Sequence, residues 1–192
     1  INTTLDHLGE HTSNPEKAIQ ATRDVIEALT VIEQTGVRSN VSIKLTQIGL
    51  ALDENLCKDN LERILKHAQK YNNFVRIDME DSPWVEKTLT LFRYMKNECG
   101  CDNVGIVIQS YLYRSEGDVA QIIKTNGRVR LCKGAYQEPE DIAFPKKNDV
   151  DNNFDHITEM LVDGALSAGS PPISEDGKSP RCRQSLRMTK TE

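Results

Sequence analysis

Short apolar runs alternate with longer helical patterns along most of this chain, and this alternation constrains the fold more than any other feature. Strands that alternate with helices predict a parallel sheet with right-handed crossovers. The apolar runs predict strands at residues 1–5, 41–45, 74–79, 104–109 and 129–133. Apolar residues at three- and four-residue spacing predict helices at residues 15–34, 59–71, 82–98, 115–125 and 152–166.

Two α/β folds fit this alternation, an open doubly wound sheet and a (β/α)8 TIM barrel. No GxGxxG motif follows any predicted strand, which weakens the dinucleotide-binding version of the open sheet. Polar residues are concentrated in the loops that follow the predicted strands, as they are in the active sites of barrels. We therefore predict a partial barrel of five βα units, with parallel strands in the order 1-2-3-4-5.

Composition excludes several classes of function. The net charge of −5 over 192 residues argues against a nucleic-acid surface, and aromatic residues are too few (5%) for stacking on single strands. No apolar run approaches the roughly 18 residues that a membrane-spanning helix needs. Five cysteines are an odd number without CxxC spacing, which favours reduced thiols in the cytoplasm and no metal site.

The composition changes near residue 167. Residues 167–192 are rich in Ser, Pro, Gly, Lys and Arg, and no strand or amphipathic helix can be drawn there. We therefore predict a folded domain over residues 1–166 and a disordered tail over 167–192. A natural extension, a truncation or a change of reading frame would each give such a tail.

Charged and amide side chains interrupt or end the predicted strands. Lys44 lies in the second strand, Asp78 in the third, Gln109 ends the fourth, and Arg130 and Lys133 belong to the fifth. Because side chains alternate along a strand, Ser42 shares a face with Lys44, as Arg76 does with Asp78 and Arg128 with Arg130. An unpaired buried charge is costly, so these groups form a structural ion-pair network, reach solvent at a rim, or meet a charged ligand.

Their common position favours a ligand. The carboxyl ends of parallel strands are where α/β proteins place their sites. Two or three cations, one carboxylate and one amide suit a substrate that carries a carboxylate, together with a cofactor that gains negative charge. The residues alone lead no further than this.

The same segments resemble the proline dehydrogenase family, in its short bacterial form with a single activity. Five motifs carry the resemblance, in order, over roughly residues 1–164: Thr4-Leu5-Asp6-His7-Leu8-Gly9-Glu10, Val41-Ser42-Ile43-Lys44-Leu45-Thr46-Gln47, Val75-Arg76-Ile77-Asp78-Met79-Glu80-Asp81-Ser82-Pro83, Val107-Ile108-Gln109-Ser110-Tyr111-Leu112-Tyr113-Arg114 and Val129-Arg130-Leu131-Cys132-Lys133-Gly134-Ala135-Tyr136.

The resemblance implies a distorted (β/α)8 barrel that uses FAD to oxidise L-proline to 1-pyrroline-5-carboxylate. Electrons then pass to a quinone, which places a cytoplasmic protein at the inner membrane surface. Lys44 is expected to contact the substrate carboxylate and Tyr136 to line the substrate site. Asp78 is expected to orient the cationic groups, and Arg130 to lie near the reactive edge of the flavin.

The resemblance also implies which residues hold the cofactor. Met79 and Gln109 are expected to touch the isoalloxazine ring system, and Arg130 to act as a cofactor contact as well. Lys133, Gly134 and Ala135 are expected to bind FAD, because Gly134 allows the backbone to approach the cofactor closely. No metal is expected, and the oligomeric state stays open.

Two other interpretations remain. The family continues into a sixth strand and a last helix with two adjacent arginines, and residues 167–192 match neither. A non-catalytic remnant of the enzyme is therefore one alternative, and it predicts that this chain alone does not oxidise proline. A Schiff-base lyase on a barrel, using Lys44 or Lys133, is the other alternative, and it requires a lysine held neutral in an apolar pocket.

Overall fold

The computed structural model describes residues 3–7, 9 and 12–167. Five strands and five helices alternate along the chain. In chain order they are β1 (Thr3–Asp6), α1 (Pro15–Thr35), β2 (Ser39–Ile43), α2 (Glu54–Lys70), β3 (Val75–Ile77), α3 (Ser82–Asn97), β4 (Val104–Gln109), α4 (Ser115–Lys124), β5 (Arg128–Cys132) and α5 (Lys147–Ser167). The predicted tail, residues 167–192, lies outside the described residues except for Ser167, which is the last residue of α5.

The strands form one sheet in the order β1-β2-β3-β4-β5. β1 pairs with β2 and β2 with β3, both parallel, with Asp6 opposite Ser42 and Ser42 opposite Arg76. Strand order equal to chain order is what a barrel requires, and it differs from the 3-2-1-4-5 order of a doubly wound sheet. The prediction of an α/β fold with a barrel strand order is confirmed.

Local signals explain where the helices begin. The side chain of Asn14 accepts a hydrogen bond from the Lys17 amide at 2.8 Å, and Gly36 ends α1 in the left-handed conformation. α2 begins at residue 54, five residues before the predicted start, because the Asp53 side chain caps the Leu56 amide. The sequence prediction began at the apolar stripe and therefore missed this first turn.

Two compact units divide the chain after Gly105. In the first unit α1 packs on α2 and on β2, and in the second α4 packs on α5. β4 is buried along its whole length, whereas β5 alternates, with Val129 and Leu131 buried and Arg130 partly exposed. Within the described residues, no helix has the length and apolar composition that crossing a membrane requires.

Candidate functional site

Three charged side chains meet at the carboxyl ends of the first three strands. Asp6 is the last residue of β1, Lys44 follows β2, and Asp78 follows β3. The Lys44 ammonium lies 2.8 Å from Asp6 Oδ2 and 3.4 Å from Asp78 Oδ2. The Ser42 hydroxyl donates to the other oxygen of Asp78. We call these four residues the Lys44 cluster.

Two charged members of the Lys44 cluster are largely buried. The side chains of Lys44 and Asp78 are 14% and 13% exposed. Burial alone lowers the pKa of a lysine, but the hydrogen bond to Asp6 and the charges of both carboxylates outweigh it, so the pKa of Lys44 is raised. Lys44 is therefore a charged ammonium, held by two carboxylates at the edge of the sheet.

A second carboxylate of the β3 end secures the loop that follows β2. Glu80 is 1% exposed and accepts hydrogen bonds from the Thr46 amide (3.0 Å) and the Thr46 hydroxyl. Thr46 comes two residues after Lys44, so this contact fixes the backbone that carries the lysine. Between Asp78 and Glu80, Met79 is buried at 5% exposure.

In the second unit, side chains at the end of β4 hold the loop that follows β5. We call residues 133–136 the Lys133 loop. Gln109 is buried, and its Oε1 accepts a hydrogen bond from the Ala135 amide at 3.0 Å. Gly134 has φ +143°, and a Cβ there would lie 2.5 Å from Cγ of the Tyr111 ring. The loop therefore needs glycine at this position, both for its backbone and for the ring beneath it.

Two lysines flank one carboxylate at the start of α5. Asp151 lies 2.7 Å from Lys133 Nζ and 2.5 Å from Lys147 Nζ. Hydrogen bonds from Lys133 first, and from Lys147 second, lower the pKa of Asp151. We call these three residues the Asp151 cluster. Two residues further along α5, Asn153 donates to the Ser110 carbonyl at 2.6 Å, so α5 contacts the loops after both β4 and β5.

Comparisons of this chain with known protein families and proteins agree with one another. The family model described as proline dehydrogenase matches residues 1–174. The chain belongs to the proline dehydrogenase family. Proline dehydrogenase 2 of Bacillus subtilis is 38% identical over 169 residues, covering 88% of this chain and 55% of the relative. Proline dehydrogenase of Deinococcus radiodurans is 42% identical over 169 residues, covering 86% of this chain and 53% of the relative.

Solved structures support the fold. Proline utilization A (PutA) from Bdellovibrio bacteriovorus matches with a TM-score of 0.79 at 24% identity, covering 86% of this chain and 22% of that protein. Bradyrhizobium japonicum PutA matches with a TM-score of 0.75 at 18% identity. This chain spans about half of the length of the proline dehydrogenases that it matches.

The structure places the predicted site residues in two groups. Lys44 and Asp78 come together in the first unit, at the carboxyl ends of neighbouring strands. Gln109 and Ala135 come together in the second unit, and Gly134 lies over Tyr111. In the same unit, Arg130 is partly exposed within β5, and Lys133 and Tyr136 lie in the Lys133 loop.

Four contact residues were not among the predicted site residues: Asp6, Glu80, Tyr111 and Asp151. Three of them lie inside the family motifs. Their contacts depend on strand register and on loop packing, and the linear sequence shows neither of these. Asp151 lies in the first turns of α5, which begins at Lys147, whereas the predicted helix began at residue 152.

The lyase alternative requires a neutral amine. Asp6 and Asp78 raise the pKa of Lys44, which opposes that state. Lys133 forms an ion pair with the Asp151 carboxylate at 2.7 Å. Neither lysine occupies the apolar surroundings that lower an amine pKa in Schiff-base enzymes.

Proposed function

We propose that this chain provides proline- and FAD-binding elements of a cytoplasmic enzyme that oxidises L-proline to 1-pyrroline-5-carboxylate. The observation that carries the proposal is the Lys44 cluster at the carboxyl ends of β1 to β3, in a chain of the proline dehydrogenase family. Residues 1–166 are proposed as the catalytic domain, and a quinone at the membrane surface as the final electron acceptor.

Lys44 is proposed to bind the carboxylate of proline. A lysine ammonium is a compact point charge that suits a carboxylate, and here it stays charged because its pKa is raised. Its contact with Asp78 is 3.4 Å, longer than its 2.8 Å contact with Asp6, so an incoming carboxylate replaces the Asp78 contact more readily. Ser42 keeps Asp78 in place during this exchange.

The Lys133 loop has features that fit FAD. Because Gly134 has no side chain, its backbone lies close to the Tyr111 ring, and a Cβ there would collide with that ring. Lys133 is 48% exposed and offers a cation to a phosphate-bearing ligand. When bound, FAD would accept the hydride that leaves C5 of proline, while the ring nitrogen loses a proton and the C5–N bond becomes a double bond.

Each remaining site residue has a proposed part. Lys133, Gly134 and Ala135 hold the cofactor, while Gln109 keeps Ala135 in position and touches the flavin. Tyr136 lines the substrate site and Met79 packs against the flavin. The cation of Arg130 lies at the reactive edge, where it stabilises negative charge on the cofactor. Asp78 orients Lys44.

The test is proline-dependent flavin bleaching. Purified protein of this sequence is incubated with FAD without oxygen, titrated with proline, and then assayed with a dye acceptor. The proposal predicts loss of the flavin absorbance and proline-dependent dye reduction. A preparation that neither binds FAD nor bleaches would contradict it and would support the non-catalytic alternative.

A matched pair of substrates isolates the role of Lys44. Lys44→Met is expected to lower kcat/KM for proline about a hundredfold, because a charge-assisted contact to the carboxylate is lost. Pyrrolidine has the same ring amine but no carboxylate, so its kcat/KM should change little in the same variant. An equal loss for both substrates would show that Lys44 does not recognise the carboxylate.

A further inference from the structure

The hydroxyl of Tyr111 is buried, and its O–H has no hydrogen-bond acceptor among the residues that the structure describes. Burial first, and the charge of Glu138 second, raise the pKa of this phenol to about 12, while a hydrogen bond from the backbone N–H of Tyr136 to the phenol oxygen lowers it. A buried donor that lacks an acceptor is unfavourable and is uncommon in native proteins. Tyr111 therefore needs an explanation that the fold alone does not supply.

The rest of Tyr111 is firmly held. Its amide donates to the Lys133 carbonyl at 2.8 Å, and its carbonyl accepts from the Phe144 amide at 2.8 Å. The ring lies directly beneath Gly134, where a Cβ would lie 2.5 Å from Cγ. Backbone and ring thus support the Lys133 loop from below, and the O–H donor is the one polar function of this residue that lacks a partner among the described residues.

Tyr113, two residues further on, shows the ordinary situation. It is 44% exposed, and its hydroxyl donates to the Glu140 carbonyl at 2.8 Å. Its ring also packs edge-on against Phe144. The two tyrosines therefore differ in one respect: the exposed O–H of Tyr113 has an acceptor, and the buried O–H of Tyr111 has none within the described part of the chain.

We propose that Tyr111 is a positioning residue for the Lys133 loop, and that its hydroxyl gains a hydrogen-bond acceptor when the loop binds FAD. This inference rests on the proposed function, because it assumes that the Lys133 loop holds the cofactor. The ring sets the position of Gly134, and the hydroxyl favours the FAD-bound arrangement over the FAD-free one. Part of the affinity for FAD therefore comes from relieving an unsatisfied group beneath the loop.

The test compares Tyr111→Phe with Tyr113→Phe in two measurements, the dissociation constant for FAD and the melting temperature of the FAD-free protein. Tyr111→Phe should bind FAD about tenfold more weakly, which corresponds to about 1.4 kcal/mol. Its FAD-free melting temperature should be equal to or above that of the wild type, because the unsatisfied hydroxyl is gone. Tyr113→Phe should bind FAD normally and melt slightly lower, because it loses a formed hydrogen bond.

A tyrosine with only a structural role would not give this opposite pair of changes. Wild-type affinity for FAD in Tyr111→Phe, or a lower FAD-free melting temperature, would overturn the inference and leave the proposed function intact. A wild-type protein that does not bind FAD would overturn both. As a direct check, labelling Tyr111 with ¹³C at Cζ should show a shift of that resonance on addition of FAD, and an unchanged resonance would overturn the inference.

Discussion

The two units contain charge clusters of opposite arrangement. In the Lys44 cluster one ammonium lies between two carboxylates, Asp6 and Asp78, whereas in the Asp151 cluster one carboxylate lies between two ammonium groups, Lys133 and Lys147. The side chain at the centre of the first is 14% exposed and that of the second is 32% exposed. The ion-pair distances in the two clusters are therefore similar, but the central side chain of the Asp151 cluster is more exposed to solvent.

This difference shows which lysine can move. Exposed ion pairs contribute little because solvent screens them, so Lys133 can leave Asp151 at small cost and contact another anion. Lys44 and Asp78 are largely buried, with Asp6 the more exposed partner, so breaking the Lys44–Asp78 pair is costlier. The Lys44 cluster suits a fixed contact to one substrate group, and the Asp151 cluster suits a cation that rearranges when a phosphate-bearing ligand arrives.

Removing the central charge of each cluster gives the largest expected contrast. Lys44→Met leaves two carboxylates facing each other beside the buried residues of β2 and β3, and we expect a loss of about 3 kcal/mol in the free energy of unfolding. Asp151→Asn should leave the unfolding midpoint close to that of the wild type, because its partners are solvated. Urea denaturation measures both, and equal effects would show that the two clusters do not differ in kind.

The second prediction tests whether packing against Tyr111, rather than the exposed ion pair of Lys133, holds the Lys133 loop in place. Gly134→Ala forces a Cβ against the Tyr111 ring at an unfavourable φ, and should lower the free energy of unfolding by about 2 kcal/mol. Gly117→Ala is the control, because it lies within α4 with open space around it. That helix substitution should stabilise by up to about 1 kcal/mol. A harmless Gly134→Ala would mean that packing does not fix the loop.

The sequence predicted most of what local chemistry determines. Asn14, Pro15 and Gly36 mark the ends of α1 because capping acts within a few residues. The first turn of α2 was missed because Cys57 is its only fully buried side chain, so the apolar stripe there begins later. Helix existence thus followed from periodicity, while this boundary depended on a single cap at Asp53.

Site contacts divide in the same way. The position of both residues at the ends of predicted parallel strands was enough to place Lys44 and Asp78 at the same edge of the sheet. The shorter contact, to Asp6, depends on the register of β1 against β2, which aligns Asp6 with Ser42. Tyr111 meets Gly134 only because the ends of β4 and β5 are neighbours, with Tyr111 bonded to the Lys133 carbonyl. Contacts made across strands need the assembled sheet, and no local pattern predicts them.

The third prediction tests how the Lys44 cluster holds its charge. Asp6→Asn removes a hydrogen-bonding carboxylate and should lower the pKa of Lys44, since burial then meets less opposition. Because the pKa of Lys44 is raised in the folded protein, its stabilising contribution is present below about pH 10.4 and is lost as the pH rises further. Following the Lys44 ¹³Cε resonance against pH measures this, and an unshifted titration in Asp6→Asn would refute it.

The last and smallest effect is expected at the opposite end of the pH scale, in the Asp151 cluster. The pKa of Asp151 is lowered in the folded protein, so its contribution is present above about pH 4 and is lost as the pH falls through the folded value. Lys133 is the main cause of the lowered pKa and Lys147 the lesser one. Lys133→Ala should therefore raise the pKa of Asp151 more than Lys147→Ala does, as measured by the ¹³Cγ resonance. If Lys147→Ala has the larger effect, Asp151 does not hold Lys133 in solution. The interpretation that Lys133 leaves Asp151 to contact another anion would then be wrong.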